Sequence, residues 1–493
     1  MQIDMIQQLQ EAIIRTISPE TLLWILIGVF VGIVFGALPG LTATTGVAIF
    51  TPLTFYMSFE VSMALLLGLF CGGYFAGSIP AILIKTPGAP GNAATIMDGY
   101  PMAAKGRAGE ALALSTVSSV FGGIFSAVAL VLFAPLLGNL ATKFGSAEYF
   151  AIGVLGLVCV ASVSGKSIVK GIAAAIFGML LGSIGMDPIS GVLRFTFGNP
   201  NLSGGIALVP ALIGFFAITE VLLKVEDFSD INTQNILKVN KVLTNLKDCF
   251  KYKWLLVKSA VIGTLIGALP GTGPTIASWV SYNEAKRGSK NAKDFGTGIP
   301  EGIIASEASN NAVTGGAMIP LLTLGIPGDT VTAILLGALM VQGITPGPML
   351  IEQNYGLVAS ILIILIIANL FMLGLGLLAS KMFPYLVKTP QPILIPLIIV
   401  LCVVGGYANG SSYFDVQILM IMGIVGFILM KYGFPVPPIV LGLVLGPIIE
   451  PNFRRALISA DMNPLIFFQR PISLTLIILT VAILYFLLKS PNK

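Results

Sequence analysis

A helix-breaking pentapeptide occurs twice in this chain, and that repetition constrains the fold more than any other feature. Gly36-Ala37-Leu38-Pro39-Gly40 returns unchanged as Gly267-Ala268-Leu269-Pro270-Gly271, each copy preceded by an apolar run and followed by small and hydroxyl residues. A second pair follows in the same order at nearly the same offset, Thr86-Pro87-Gly88-Ala89-Pro90-Gly91 against Thr323-Leu324-Gly325-Ile326-Pro327-Gly328. A weaker echo sets Pro210-Ala211-Leu212-Ile213-Gly214 beside Pro438-Ile439-Val440-Leu441-Gly442. Ordered matches of this kind predict a duplicated chain. The expected organisation is an N-terminal lead-in over 1–20, one repeat over 21–225, a polar linker over 226–254, a second repeat over 255–460 and an added C-terminal span within 461–493.

Both halves must lie in lipid. The 493 residues are 56% hydrophobic and 10% charged, whereas soluble domains carry about 25% charged residues, so polar surface is too scarce to cover a soluble fold. A bilayer core takes about 20 apolar residues per helix, and the apolar runs predict roughly ten to a dozen spans. The fold class expected is therefore an all-α polytopic membrane protein, built from two repeats, inverted relative to each other, with re-entrant hairpins and broken helices.

The same counts exclude whole classes of chemistry. With no histidine there is no Ser-His or Cys-His nucleophile, no His-ligated zinc and no His proton relay. Cys71, Cys159 and Cys402 sit in apolar runs and Cys249 in a polar loop, without metal or redox spacing, which reads as packing. No GxxxxGK[ST] motif is present, so an ion gradient is expected to supply the energy. The first twenty residues carry Asp4, Glu11 and Glu20 against Arg15, the wrong pattern for a secretory leader. Met5 to Ile14 reads either as a surface amphipathic helix or as a plain helical lead-in.

Charge placement sets orientation. The stretch from Lys224 to Lys258 is the most polar of the chain and rich in lysine, and Lys286, Arg287, Lys290 and Lys293 follow closely, so both are expected on the cytoplasmic side. Leu255 to Tyr282 lies between them and is interrupted at Leu269-Pro270-Gly271-Thr272-Gly273. Its two arms of roughly 10–15 residues are too short, at about 1.5 Å per residue, to cross a core about 30 Å thick. A hairpin that enters and leaves on one side fits better.

Proline removes a backbone donor and glycine lets the chain reverse, so each break leaves N–H and C=O groups unpaired at membrane depth. Such groups persist only where protein, water or a ligand satisfies them. Exposed amides attract anions and exposed carbonyls attract cations, and paired breaks in two halves mark transport sites. The candidate substrate-binding residues are Gly40, Thr42, Thr44, Thr45, Lys85, Gly88, Pro90, Gly91, Asn92, Gly271, Thr272, Gly273, Asn310, Asn311, Gly325, Pro327 and Gly328. The candidate ion-binding residues are Thr95, Thr275, Ser306, Glu307, Asp329, Thr330 and Thr332. Any single hydroxyl here is as readily explained by bonding back to its own helix turn. Glu307 with Asn310-Asn311 either coordinates a cation or holds the hairpin in shape, and Lys85 either neutralises a carboxylate or snorkels to an interface.

These residues carry a family resemblance. The Gly36 to Thr45 region, Pro87-Gly88 through Asp98-Gly99-Tyr100-Pro101-Met102-Ala103, Leu269 to Gly273, Ser281-Tyr282, Lys286-Arg287 and the stretch from Glu301 to Gly343-Ile344-Thr345-Pro346-Gly347-Pro348 resemble the TctA family, the large membrane subunit of the tripartite tricarboxylate transporters. The resemblance covers nearly the whole chain. It implies a multi-pass permease of the bacterial inner membrane, working with a small TctB-like membrane subunit and a periplasmic TctC-like solute-binding protein. It further implies uptake of citrate-like or other carboxylates coupled to Na⁺ or H⁺, with no other cofactor and no transition metal. Lys85 departs from the pattern, since many relatives carry a neutral Asn there. An elevator-like motion of the hairpin-bearing region is expected by analogy. The rival classes are a channel and an intramembrane aspartyl protease using Asp187, Asp329 or Asp415, although no GxGD motif stands in this chain.

Overall fold

The computed structural model describes residues 2–38, 41–163, 167–226, 237, 239, 250–347, 350, 354–386 and 391–489. Apolar runs with little charge fold as helices because lipid supplies no partner for the backbone and the helix satisfies its own. In the first half these are α1 (Gln2–Thr16), α2 (Pro19–Ala37), α3 (Ala43–Phe50), α4 (Phe59–Ala76), α5 (Ser78–Ile84), α6 (Ile96–Met102), α7 (Ala108–Ala141), α8 (Ser146–Val163), α9 (Ile168–Gly182), α10 (Leu208–Ile213) and α11 (Thr219–Glu226). The second half contains α12 (Lys253–Gly267), α13 (Gly273–Gly288), α14 (Pro300–Leu324), α15 (Thr330–Val341), α16 (Tyr355–Leu386), α17 (Gln391–Gly410), α18 (Tyr413–Lys431) and α19 (Val436–Ser459). Two further helices, α20 (Ile466–Gln469) and α21 (Pro471–Lys489), end the described chain.

Among the described residues, seven helical stretches are long and apolar enough to cross a membrane, and five shorter apolar helices accompany them. The number of full-length spans is lower than the apolar runs suggest because breaks divide them. Pro270 and Gly271 split one such run into α12 and α13, of 15 and 16 residues, and Lys258 Nζ reaches Glu284 Oε2 at 3.3 Å across their open ends. The pair is thus a helical hairpin whose arms, at about 1.5 Å per residue, fall short of a bilayer core.

Glycine positions set how the helices run. The backbones of Gly28, Gly32 and Gly36 lie against the carbonyls of Leu65, Leu69 and Gly73, so α2 and α4 are parallel. Gly263 and Gly267 lie against Ser309 and Val313 in the same sense, so α12 and α14 are also parallel. Gly122 and Ser126 of α7 meet Ala308 and Gly315 of α14, again in parallel. Asn369 and Gly376 of α16 meet Cys71 and Phe75 of α4 in parallel, but Gly123 and Thr116 of α7 in antiparallel order. The α2/α4 pair therefore runs opposite to the α12/α14 pair.

At the ends of these helices the chain is tied by polar contacts. Arg15 pairs with Glu60 at 3.6 Å and Gln342 Nε2 donates to Thr54 O at 2.8 Å on the face where α4 begins. Lys105 Nζ donates to Thr297 O at 2.7 Å and Lys431 pairs with Glu226 at 2.6 Å on the opposite face. A short antiparallel ribbon, Gly185–Met186 with Leu193–Arg194, follows α9. It is pinned to α19 by a square of charges in which Arg194 and Arg454 each bond both Asp187 and Glu450, at 2.8–3.2 Å. The 227–249 part of the expected polar linker lies, apart from Leu237 and Val239, outside the described residues.

Candidate functional site

Four chain reversals meet inside the helix bundle, and each is built by the residue types that break helices. α2 stops at Ala37, and after a break Thr42 caps α3, its hydroxyl accepting the Thr45 amide at 3.2 Å. Pro39 and Gly40 lie outside the described residues. α5 ends at Lys85, whose φ of 59° places it in the left-handed region, and the chain folds back so that Gly88 N donates to Gly77 O at 3.0 Å. α14 ends in the same manner at Gly325, with φ 71°. Thr86 N bonds Pro80 O at 3.4 Å, and Ile326 N bonds Pro320 O at 3.3 Å. These matched bonds align Thr86-Pro87-Gly88 with Ile326-Pro327-Gly328, three residues away from the pairing that the motif strings suggest.

The matched register has a matched contact. A Cβ on Gly88 would stand 2.2 Å from Gly36 O, and one on Gly328 would stand 2.5 Å from Gly267 O. In each half the second break therefore rests on the first glycine of the pentapeptide, closer than any side chain permits. Gly271 N also donates to Gly328 O at 2.7 Å, joining the α12/α13 tip to the α14/α15 tip.

The two halves then meet each other. Thr44 and Thr330 hydroxyls lie 3.1 Å apart, Gly91 packs against Pro274 and Asn310, and Gly273 faces the Asp329 side chain. The starts of α3, α13 and α15 and the Pro90–Asn92 turn thus converge. Thr42, Thr44, Gly271, Thr272, Thr275 and Thr330 stay half-buried there although the helices around them are buried. The first-turn amides of α13 receive no side-chain cap, while those of α15 are capped by Asp329 in a reciprocal box with Thr332. An uncapped helix start carries about half a positive charge, so α13, with hydroxyl-capped α3 beside it, is the better anion seat.

Behind the tips lies a buried polar layer. Glu307, fully buried, accepts from Asn92 Nδ2 at 3.2 Å, from Ser119 at 3.1 Å and from the Thr95 hydroxyl, which also contacts Ser306 at 3.0 Å. Asn92 and Asn310 both donate to Tyr74 O, at 3.2 and 3.0 Å, and Tyr74 Oη donates to Asp329 Oδ2 at 2.5 Å. No Lys or Arg among the described residues pairs with Glu307 or Asp329. Two carboxyl groups without a fixed counter-charge in low dielectric call for a proton or a cation.

Not every candidate joins this centre. Lys85 is exposed at its turn, with Nζ 5.7 Å from the Tyr100 ring centroid. Gly325 lines a cavity of about 1110 Å³ with Arg194, Glu450, Arg455 and Leu336, and Pro90 is exposed. The Thr272 hydroxyl bonds back to Leu269 O at 3.0 Å, the structural role that a helix-end threonine commonly takes. Thr45 is buried against Thr42, and Pro327 is buried between Ile326 and Gly328. Asn311 lies on another face of α14 from Asn310.

Two residues escape a reading by motif. Tyr74 stands in an unbroken apolar run and Ser119 in a helix rich in small residues, so neither carries a local signal. Asp98 does stand in a conspicuous polar stretch. Its Oδ1 accepts amides from Gly296, Gly298 and Ile299 at 2.8–3.1 Å and its Oδ2 accepts the Tyr282 hydroxyl at 2.8 Å, holding the entry to α14.

The family comparison covers most of the chain. Residues 22–441 match the model of the tripartite tricarboxylate transporter TctA family. The chain belongs to the TctA family. A relative named for the TAR-I ttuC' 3' region of Agrobacterium vitis, a 52.8 kDa protein described as uncharacterized, is 36% identical over 479 residues, covering 97% of this chain and 95% of the relative. Another, from the TAR-II ttuC' 3' region of the same organism, is 38% identical over 215 residues, 44% of this chain and 89% of that protein. No solved structure matches. The TctA match spans all four breaks, so the converging tips belong to the part that defines the family, as a multi-pass component of a tripartite transporter.

Proposed function

We propose that this TctA protein is the permease subunit of a secondary transporter that takes up tricarboxylates or related carboxylates, driven by Na⁺ or H⁺. A periplasmic solute-binding protein delivers the substrate and a small membrane subunit completes the complex in a bacterial inner membrane. The observation that carries this reading is the meeting of the uncapped α13 start and the hydroxyl-capped α3 start within the bundle, flanked by half-buried threonines. Helix starts offer amides to a carboxylate without the desolvation penalty of a buried lysine.

The basic residues orient it. Lys105, Arg107, Lys253, Lys258, Lys286, Arg287, Lys290 and Lys293 gather on the face where α14 begins, which by the positive-inside rule is cytoplasmic. The α2/α3 hairpin then enters from outside and α12/α13 from inside, as an inverted repeat does. Alternating access follows if the tips travel together against the outer helices, and the opposed helix pairs with their matched glycine contacts support such a motion. Glu307 and Asp329, lacking fixed counter-charges, are where the driving cation acts.

Uptake of citrate and of a panel of di- and tricarboxylates into proteoliposomes, with the cognate binding protein and the small subunit present, tests this. Saturable accumulation that collapses when the imposed Na⁺ or proton gradient is removed is expected. Sustained conductance without fixed ion stoichiometry would make the protein a channel instead.

A further inference from the structure

One set of buried polar atoms takes no part in the tips. Asn311 is fully buried, and neither its Oδ1 nor its Nδ2 has a hydrogen-bond partner. It lies between Ala308 and Gly315, the two α14 positions that touch α7 at Gly122 and Ser126, so its side chain enters the α7 seam. On α7, one turn before Gly123, Ser119 is fully buried and donates to Glu307 Oε2. Asn369 of α16 packs on Gly123 with its Oδ1 unpartnered, while its Nδ2 is engaged by Leu365 O at 2.8 Å. Glu307 and Asn311 stand one turn apart on α14, within side-chain reach of each other.

A buried polar group left without a partner is costly, and α14 and α16 each bring such groups to α7 beside Gly122 and Gly123. Water could satisfy the amides but would leave the Glu307 charge uncompensated. Two amide oxygens, a hydroxyl oxygen and one carboxylate form a hard, all-oxygen donor set with a single negative charge, which suits a small monovalent cation.

We propose that this seam is the driving-cation site, holding one Na⁺ on Glu307, Asn311 Oδ1 and Asn369 Oδ1, with Ser119 completing the oxygen set. The inference rests on the cation-coupled reading above and moves Asn311 from the substrate ligands to the ion. It also supplies a coupling route. Asn310, the next residue on α14, donates to Tyr74 O beside the tips, so a cation that fixes the α7 face of α14 also fixes the face presented to the substrate.

Equilibrium binding of ²²Na⁺ to the purified chain, without carboxylate or partner proteins, reads the site separately from transport. Wild type is expected to bind saturably. Asn311→Ala should weaken binding about ten-fold or more, as loss of a metal-orienting group does, whereas Asn311→Asp, which keeps an oxygen, should retain it. Gly374→Ala, whose new carbon meets no atom within 4 Å, should leave Na⁺ affinity unchanged. If Asn311→Ala fails to fold, Asn369→Ala should lower the affinity at least three-fold. Wild-type Na⁺ affinity in Asn311→Ala, or in Asn369→Ala where that variant decides, overturns the site. Absence of Na⁺ binding by wild type also overturns it, and the carboxylate uptake assay then still stands as the test of the wider reading.

Discussion

Adding one methyl group at Gly88 or at Gly328 should disable transport without expelling the protein from the membrane. The new Cβ would lie 2.2 Å from Gly36 O in one case and 2.5 Å from Gly267 O in the other. A carbon resting on a carbonyl oxygen needs about 3.3 Å, so the backbones must part by about 1.1 and 0.8 Å respectively. Neither neighbour is a side chain that can rotate away, so the strain passes to the helix pairs, at about 1–3 kcal/mol for each site. Displacing a binding constellation by about 1 Å costs on the order of 100-fold in rate. Gly88→Ala and Gly328→Ala are therefore expected to remain monodisperse in detergent, to melt earlier than wild type, and to lose about 10- to 100-fold in initial uptake rate in proteoliposomes. Gly374→Ala, with no atom within 4 Å of its new carbon, should be silent. Uptake within two-fold of wild type for either variant, or a defect at one site and none at the other, would refute the matched role of the two contacts.

Four further outcomes are expected. Asp98→Asn should lower the thermal midpoint, with a loss of about 2–3 kcal/mol as three amides lose a charged acceptor, and Tyr282→Phe should cost about 1 kcal/mol. Lys85→Gly should raise the midpoint modestly, because a left-handed φ of 59° strains any residue with a Cβ by about 1–2 kcal/mol; a drop would show that the Tyr100 contact matters more. In a double-mutant cycle measured by thermal midpoint, Thr44→Val and Thr330→Val should couple by about 0.5–1.5 kcal/mol, and strict additivity would remove their bond from the account. Asp187, outside the membrane-spanning helices, is held well below the ordinary carboxyl range by Ser190, the Ile189 amide and Arg454 and Arg194. A depressed folded value stabilises above the unfolded value of about 3.9 and is lost as pH falls through the folded one. The midpoint gap between wild type and Asp187→Asn should therefore be full at pH 7 and close progressively below about pH 4; a constant gap would contradict it.

The breaks were legible because they are chemical statements about the backbone: proline and glycine end a helix whatever surrounds them. Composition made the chain a membrane protein for an equally local reason, and the order of the breaks predicted two related halves. The hairpin over Leu255 to Tyr282 followed from arm length and from the basic residues flanking both of its ends. Register did not, since Thr86-Pro87-Gly88 and Thr323 to Gly328 look similar at two offsets as strings. Only the paired bonds to Pro80 and Pro320 decide between them.

What the tertiary structure decided is which groups share a space. Lys85 and Gly325 hold equivalent turns at the ends of α5 and α14, yet one is exposed and the other lines a cavity. Asn310 and Asn311 are neighbours in the chain but point about 100° apart around a helix, one to Tyr74 and the other to α7. Tyr74, Ser119 and Asp98 act across 184 to 255 residues of intervening chain. Local patterns set where a backbone must bend, because bending is paid for within a few residues; which distant oxygen lies beside which carboxylate is set by how whole helices pack.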